Sequence, residues 1–461
     1  MRFLYVDDGV QELMRRFSLL VMLLLAAAAV AASAAPAKTA FFIRGGGWGH
    51  GIGMSQWGAY GYAVQGGTYK QILGLYYPGT DVGSSSNPRM SVTLAAGRSS
   101  LTVGSGALFY ATDANGRHNI AEGTKTIWTG MKITTKSGRR ITLMSPVKFS
   151  GSSEFIALNG IRYRGTVVVS KSGGKLKAVN RVRLESYLRG VVPNESPSSW
   201  PSAALKAQAV AARSYALAVG GLTTTTSSQV YRGRDSEKDS TDAAVAATAG
   251  EIRSYNGSVA ATFFFSTSGG RTSTKNDEWG SGDLPYLQSV DDSQYDKYSP
   301  RNRWDSKSVD SLCHRSRYTK SGIAKRISVP SGLYDILVSR NSSGRAGSVD
   351  LVGSTTRTVS GGDFKDQFHL CATRYWVGVI RVHASKTQVS PGARVRLFGF
   401  ARKMGSTLTI QQRLAGGAWQ NAGQVGVSSN RFEIVTHPQQ TTYYRVRAGV
   451  EIGPVVVVKV D

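Results

Sequence analysis

The sequence predicts an α+β chain: a β-rich domain built around one Ala-rich central helix, followed by a C-terminal immunoglobulin-like β-sandwich. Three observations carry that prediction. From Met90 to about Val169, short runs such as SVTLAAG, ALFYATD, KITTKSG and YRGTVVVS alternate apolar and polar residues between Gly and Ser turns, the period of a half-buried strand. From Pro201 to Gly221 the chain is rich in Ala, Leu, Lys and Gln, all strong helix formers. Residues 380–461 read as about seven short strands with regular turns, the pattern of a sandwich without an internal cysteine pair.

The first 34 residues read as a targeting segment. Arg15 and Arg16 precede the apolar run SLLVMLLLAAAAV, and Ala32-Ser33-Ala34 fits a small-residue cleavage site. Asp7, Asp8 and Glu12 are unusual ahead of such a run, so translation is expected to start at Met14. The run is shorter than the ~20 residues a spanning helix needs, so cleavage, export and no retained membrane span are expected.

Of the 461 residues, those beyond residue 34 suffice for two or three domains. Net charge is +27, and removing residues 1–34 takes away three basic and three acidic side chains, leaving it unchanged. Such a balance calls for an anionic partner. Nucleic acid is not indicated, because Lys and Arg are scattered among Gly, Ser and Thr and match no binding motif.

The exported part opens with AFFIRGGGWGHGIGMSQWGAYGYAVQGG. Glycines at 45, 47, 49, 51 and 53 would leave one face of an extended segment bare, with Trp48, His50 and Ile52 on the other. A backbone or a flat ring could approach that face. No frame reads G-x-G-x-x-G and no Walker lysine follows, so phosphate cradling has no support. From Met54 the spacing turns helical until Gly66-Gly67, and Thr68 caps a second helix that Pro78-Gly79 terminates. Packing and capping alone would also account for Trp48, His50, Ser55, Gln56 and Trp57.

The segment VVPNESPSSWPSAALKAQAVAARSYALAVGG presents one carboxylate, Glu195, between Pro193 and Pro197. Both prolines stiffen it and predict a non-helical turn. A surface loop acid before an ordinary buried helix is the bland alternative. Downstream, Ser266, Ser268 and Arg271 stand beside Gly269-Gly270 and could bind an anion or hydroxyls, or form a plain turn. Glu185, Asp239 and Asp242 are the alternative acids, with Glu185 expected in a structural pair. Cys313 and Cys371 allow a disulfide; with His314 and His369 they could instead hold zinc, although the contiguous Cys-His pair fits no common finger. Free thiols are the third option, and no cofactor is indicated.

Taken together, three blocks resemble the stage II sporulation protein D family (SpoIID/LytB domain): LESYLRGVVPNESPSSWPSAALKAQAVAARSYAL, TAGEIRSYNG with FFFSTSGGRT, and GGWGHGIGMSQWGAYGYA with YYPGT. The likeness covers residues 41–80 and 90–376 of a domain expected at 35–376, subdivided into 41–80, 90–170 and 175–376, with the sandwich at 380–461. The Gly-rich block usually closes the family's domain; here it comes first, so residues 44–80 are expected to return to the core near Cys371–Trp376. The resemblance implies a secreted, wall-associated lytic transglycosylase that cleaves peptidoglycan strands stripped of stem peptides, with Glu195 as the matching acid. Lys206, Gln208, Arg213, Tyr215, His50, Ser55 and Gln56 also match motif positions and are candidate substrate contacts. Ser196 replaces the usual Met after the Glu, which puts the pocket wall in question. Because some members are described as amidase enhancers, a non-catalytic wall-binding factor with an amidase partner is the alternative. Glycan strands and anionic wall polymers are the expected partners, and the sandwich would serve as spacer or wall adhesin.

Overall fold

In the computed structural model the described residues are 38–153, 155–304 and 317–461. The expected leader, residues 1–34, lies outside them, and among them no helix is long and apolar enough to cross a membrane.

Strand Lys38–Gly45 organises one end of the molecule. Its run Ala40-Phe41-Phe42-Ile43 is buried at all four positions because both of its faces are covered. Ala40 and Phe42 enter a core with Ile380, Leu397, Leu408 and Val456, while Phe41 and Ile43 enter another with Val377, Val379, Leu351 and Phe364. The strand lies inside a five-stranded sheet, between Arg317–Thr319 and Tyr375–Ala384, followed by Val395–Arg402 and Arg431–Thr436. A second five-stranded sheet, from Gln388–Val389, Glu451–Val460, Thr442–Ala448, Thr407–Leu414 and Gln420–Gly426, closes the first core as a two-layer sandwich. The boundary expected between 376 and 380 falls inside strand Tyr375–Ala384, and the sandwich includes a strand from the opposite end of the chain. Apolar periodicity marks strands but not the partners that they find.

The β-rich stretch forms a six-stranded antiparallel sheet ordered Arg89–Arg98, Lys175–Arg183, Thr166–Ser172, Val147–Gly151, Phe109–Asp113, Gly116–Ile120. A four-stranded sheet, which includes Ser100–Ser105 and Phe155–Leu158, shares its core. The Ala-rich helix runs Ser202–Val219. Ala209, Ala212 and Ala216 face that β core, and Ala207, Val210 and Ala211 face a second core with Ile52, Met54 and Leu73. A helix enclosed on both sides must be apolar nearly all round, and alanine lets both neighbours come close.

Helices Gln56–Val64 and Tyr69–Tyr76 lie where the spacing places them, and Thr68 forms a reciprocal capping box with Gln71. The Gly-rich block before them is not the flat strand expected. Gly47, Gly49, Gly51 and Gly53 all have φ between +75° and +106°, so the backbone winds instead of alternating faces.

Candidate active site

Glu195 ends a single helical turn, Val192–Glu195, with Pro193 in its first turn, so the expected non-helical loop is instead one turn that Ser196 breaks by returning to extended backbone. The Glu195 Oε1 accepts the Val230 backbone N–H at 2.7 Å, and its Oε2 accepts the Gln56 side-chain amide at 3.3 Å. Burial raises the carboxyl above the ordinary glutamate range, and these two hydrogen bonds pull it partly back. The site therefore shifts the acid toward its protonated form relative to a free glutamate while keeping both oxygens oriented.

Gln56 reaches that position through the wound Gly block. Strand Lys38–Gly45 pairs with Tyr375–Ala384 in the register Arg44 to Trp376, and then the Gly46 and Gly49 N–H groups donate to the Arg374 and Cys371 carbonyls at 3.0 and 2.9 Å. Met54–Ser55 next runs parallel to Phe264–Phe265. Ser55 caps the helix that Gln56 begins, accepting from Gly58 N at 3.1 Å, and its hydroxyl donates to Asp296 at 2.8 Å. Each of those contacts fixes the start of the helix, hence the amide of Gln56.

A cavity of about 510 Å³ opens beside the Glu195 carboxylate. Trp48, Tyr215, Phe263, Phe265 and Trp279 give it apolar walls, and Ser227, Ser228 and Ser266 add hydroxyls. Glu195 is the one carboxylate among its lining residues. His50 packs against Phe265 and Trp279 at 5.4 and 5.3 Å between ring centroids. Burial above all, then the Arg345 charge, pushes its imidazole down to about 4, and Nδ1 accepts the Ile52 N–H at 3.0 Å. The ring is neutral at physiological pH and acts as wall and brace, not as a proton carrier.

Beside this cavity, Trp57, Tyr60 and Trp200 meet with centroids 5.0 to 5.2 Å apart. Trp57 follows Gln56 in sequence and Trp200 lies in the loop after Glu195, so the cluster locks together the two segments that carry the amide and the acid.

Of the residues that the sequence nominates, His50, Gln56, Tyr215 and Ser266 meet Glu195 in one cavity. Others support it from outside. Arg213 is fully buried, its guanidinium held by Glu185 at 2.7 and 2.8 Å and by the Glu251 carbonyl at 3.0 Å, so it has no face left for a sugar. Glu185 is thus the structural partner expected of it. Ser55 is buried on Asp296, and Ser268 is buried on Asp292 at 2.5 Å. Gln208 is buried and accepts the Ser196 hydroxyl at 3.4 Å, which turns Ser196 into the core and away from the cavity lining. Lys206 lies 6.0 Å from the Tyr69 ring, and Arg271 pairs with Asp291 at 3.3 Å, neither lining the cavity. Asp239 and Asp242 occupy the first turn of helix Asp239–Ala247, also outside it.

Sequence reasoning missed the Val230 N–H, Ser227, Ser228 and Trp279. A backbone donor leaves no mark on its side chain, and the TTTTSS run reads only as a loop. Cys313 and His314 lie outside the described residues. His369 ends helix Gly361–Phe368 in the left-handed region, and Cys371 carries no free thiol. Among the described residues no group of three His, Cys, Asp or Glu side chains could hold a metal ion.

Part of the chain is similar in sequence to known proteins. The sequence profile of the SpoIID stage II sporulation protein family matches residues 172–255, the span that contains Glu195 and the Ala-rich helix. A Bacillus subtilis (strain 168) protein named amidase enhancer is 38% identical over 148 residues, 31% of this chain and 21% of that one. The stage II sporulation protein D of the same strain is 36% identical over 149 residues, covering 27% and 43%. An uncharacterized protein of Brachyspira hyodysenteriae is 38% identical over 142 residues, covering 29% and 38%. The chain thus spans less than half the length of each of these relatives. Residues 172–255, which include Glu195, thus carry the chain's likeness to the stage II sporulation protein D family.

Proposed function

We propose that this protein is a secreted lytic transglycosylase that acts in the cell wall on peptidoglycan glycan strands, preferentially those stripped of stem peptides. One observation carries the reading: a single carboxylate, raised in pKa by burial and held by two hydrogen bonds, lines an aromatic cavity with no second acid among its described lining residues. Hydrolytic glycosidases commonly need two carboxyl groups, one as acid and one as base or nucleophile. A lytic transglycosylase needs one. Protonated Glu195 gives its proton to the glycosidic oxygen as the C1–O bond breaks. The resulting carboxylate then takes the proton of the muramic acid 6-hydroxyl, whose oxygen bonds to C1 and closes a 1,6-anhydro ring. No water is consumed, and the acid is regenerated.

The apolar walls favour the protonated starting state and offer ring faces to the sugar. Gln56 and the Val230 N–H hold the carboxylate after it has lost its proton. Folding the N-terminal Gly-rich block onto Arg374 and Cys371 completes this arrangement, which is how a displaced block would serve the same site. A disulfide between Cys313 and Cys371 would anchor the return of the chain beside that block, and net charge +27 suits anionic wall polymers.

A second reading is favoured by the name of one relative, amidase enhancer. On it, the cavity binds glycan without cleaving it and the chain assists an N-acetylmuramoyl-L-alanine amidase. Incubating purified protein with stripped glycan strands and analysing the ends by mass spectrometry separates the two. The enzyme reading expects 1,6-anhydro ends whose yield falls about 10²- to 10⁴-fold in Glu195→Gln. No such ends from the wild type, or an undiminished yield from the variant, overturns it.

A further inference from the structure

A second cavity, of about 320 Å³, lies on the sandwich, away from Glu195. Its composition follows from strand register. Arg381 and His383 on strand Tyr375–Ala384 stand opposite Phe400 and Phe398 on strand Val395–Arg402, and Phe400 stands opposite Arg431 on the next strand. Residues directly opposite share a face, so these five side chains form one patch. Further along the same face, Val377 and Val379 are covered by the core around Leu351 and Phe364. That cover ends near Tyr334, which borders the patch and turns it into a cavity.

The patch is aromatic and cationic with no acid among its lining residues. The His383 and Phe398 rings stack at 5.2 Å and 9°. Arg381 lies 5.8 Å from the Tyr334 ring, and its Nε is buried without a hydrogen-bond partner among the described residues. The nearby acids have cationic partners: Asp335 is bound by Arg402 at 2.7 Å, and Glu433, opposite Phe398 on this same face, pairs with Arg396 at 3.5 Å. The positive charge is felt by its neighbours. After burial, the Arg381 charge is the next cause that lowers both His383 and Lys320.

We propose that this cavity binds a sugar ring bearing a carboxylate, with the ring against the aromatic floor and the carboxylate on Arg381 and Arg431. The planar Arg fork matches a carboxylate, and the volume suits a single ring. A polyol phosphate chain would satisfy the charge but has no ring face for Phe398 and Phe400. Within the wall-glycan reading above, on which the ligand class rests, the ring is muramic acid, whose lactyl group supplies the carboxylate. The sandwich then holds the strand that the other cavity cleaves.

The test is calorimetry on the full chain carrying Glu195→Gln, titrated with the N-acetylglucosamine–N-acetylmuramic acid disaccharide, uncharged chitobiose and an oligo(glycerol phosphate). Expected is a muramic disaccharide site that weakens at least 10-fold in Arg381→Ala and in Phe398→Ala, but not in Lys386→Ala, a change of an exposed cation elsewhere on the sandwich. Circular dichroism checks that each variant is folded, and Arg381→Lys, which keeps charge but loses the fork, should recover only part of the affinity. Equal binding in Arg381→Ala, equal Arg381-dependent binding of chitobiose, or Arg381-dependent binding of the phosphate oligomer alone overturns the proposal. Cleavage is read separately in the Glu195 background: Arg381-dependent binding without any 1,6-anhydro product upholds this site and removes the transglycosylase reading, whereas cleavage without Arg381-dependent binding does the reverse.

Discussion

The Gln56 side-chain amide donates to Glu195 Oε2 at 3.3 Å across 139 residues of sequence. That bond makes the Gly-rich block part of the site, because Gln56 starts the helix into which the block delivers the chain. It stabilises the carboxylate and so opposes the effect of burial.

Gln56→Ala should therefore raise the Glu195 pKa further. A general acid works while protonated, so the limb of the pH–rate profile where activity falls with rising pH should move to higher pH. Maximal rate should drop about 10-fold with loss of a hydrogen bond to a charged group. The profile of kcat/KM against pH on stripped strands checks both, and an unmoved limb would show that the bond does not act on the acid.

Asp292 predicts a pH dependence of stability. Burial first, and then the charge of Asp296, push its carboxyl from 3.8 up to about 7, while Ser268 and Tyr76 donate hydrogen bonds to it. The unfolded chain loses this proton near pH 4 and the folded chain near pH 7. The contribution is complete below the lower value and is lost as pH rises to the upper one. Urea titrations from pH 4 to 8 should show stability falling across that window, and Asp292→Asn should flatten the fall.

Arg213 should matter for folding and not for substrate. Arg213→Ala leaves Glu185 without its bidentate partner, at a cost of about 2–4 kcal/mol once the partial exposure of Glu185 is allowed for. Arg213→Lys should rescue little, because one ammonium cannot reproduce the fork. Denaturant midpoints measure the loss, and the KM of the folded fraction should be unchanged.

Two glycines make a matched pair. Gly51 has φ +84°, and an added Cβ would lie 2.5 Å from Arg345 Cζ, a fully buried side chain. Gly66 has φ +88° but open space around it. Gly66→Ala should cost about 1–2 kcal/mol for the left-handed backbone alone. Gly51→Ala adds about 1–3 kcal/mol of overpacking and should also reduce cleavage, since His50 precedes it and the chain from it leads to Gln56. Thermal melts and product yields on both variants decide whether close packing or backbone conformation governs the block.

Arg213 and Tyr215 show where legibility stopped. Both match motif positions on one helix, two residues apart. The 100° step between helical residues sends them to different neighbours, Arg213 to Glu185 and Tyr215 to the cavity. Which neighbour waits on each side is not written in the helix.

By itself the sequence determined the elements whose cause is local. These are the alternation from Met90 to Val169, the Ala-rich helix, the Thr68 capping box and the acid at Glu195, each set by propensity, period or a dense motif. The tertiary structure alone decided that the Gly block winds through positive φ, that the first described strand enters the sandwich sheet, and that Val230 and Gln56 meet the acid. The reason is physical: close approach and shared hydrogen bonds depend on groups far apart in the chain, and no local pattern records the far partner.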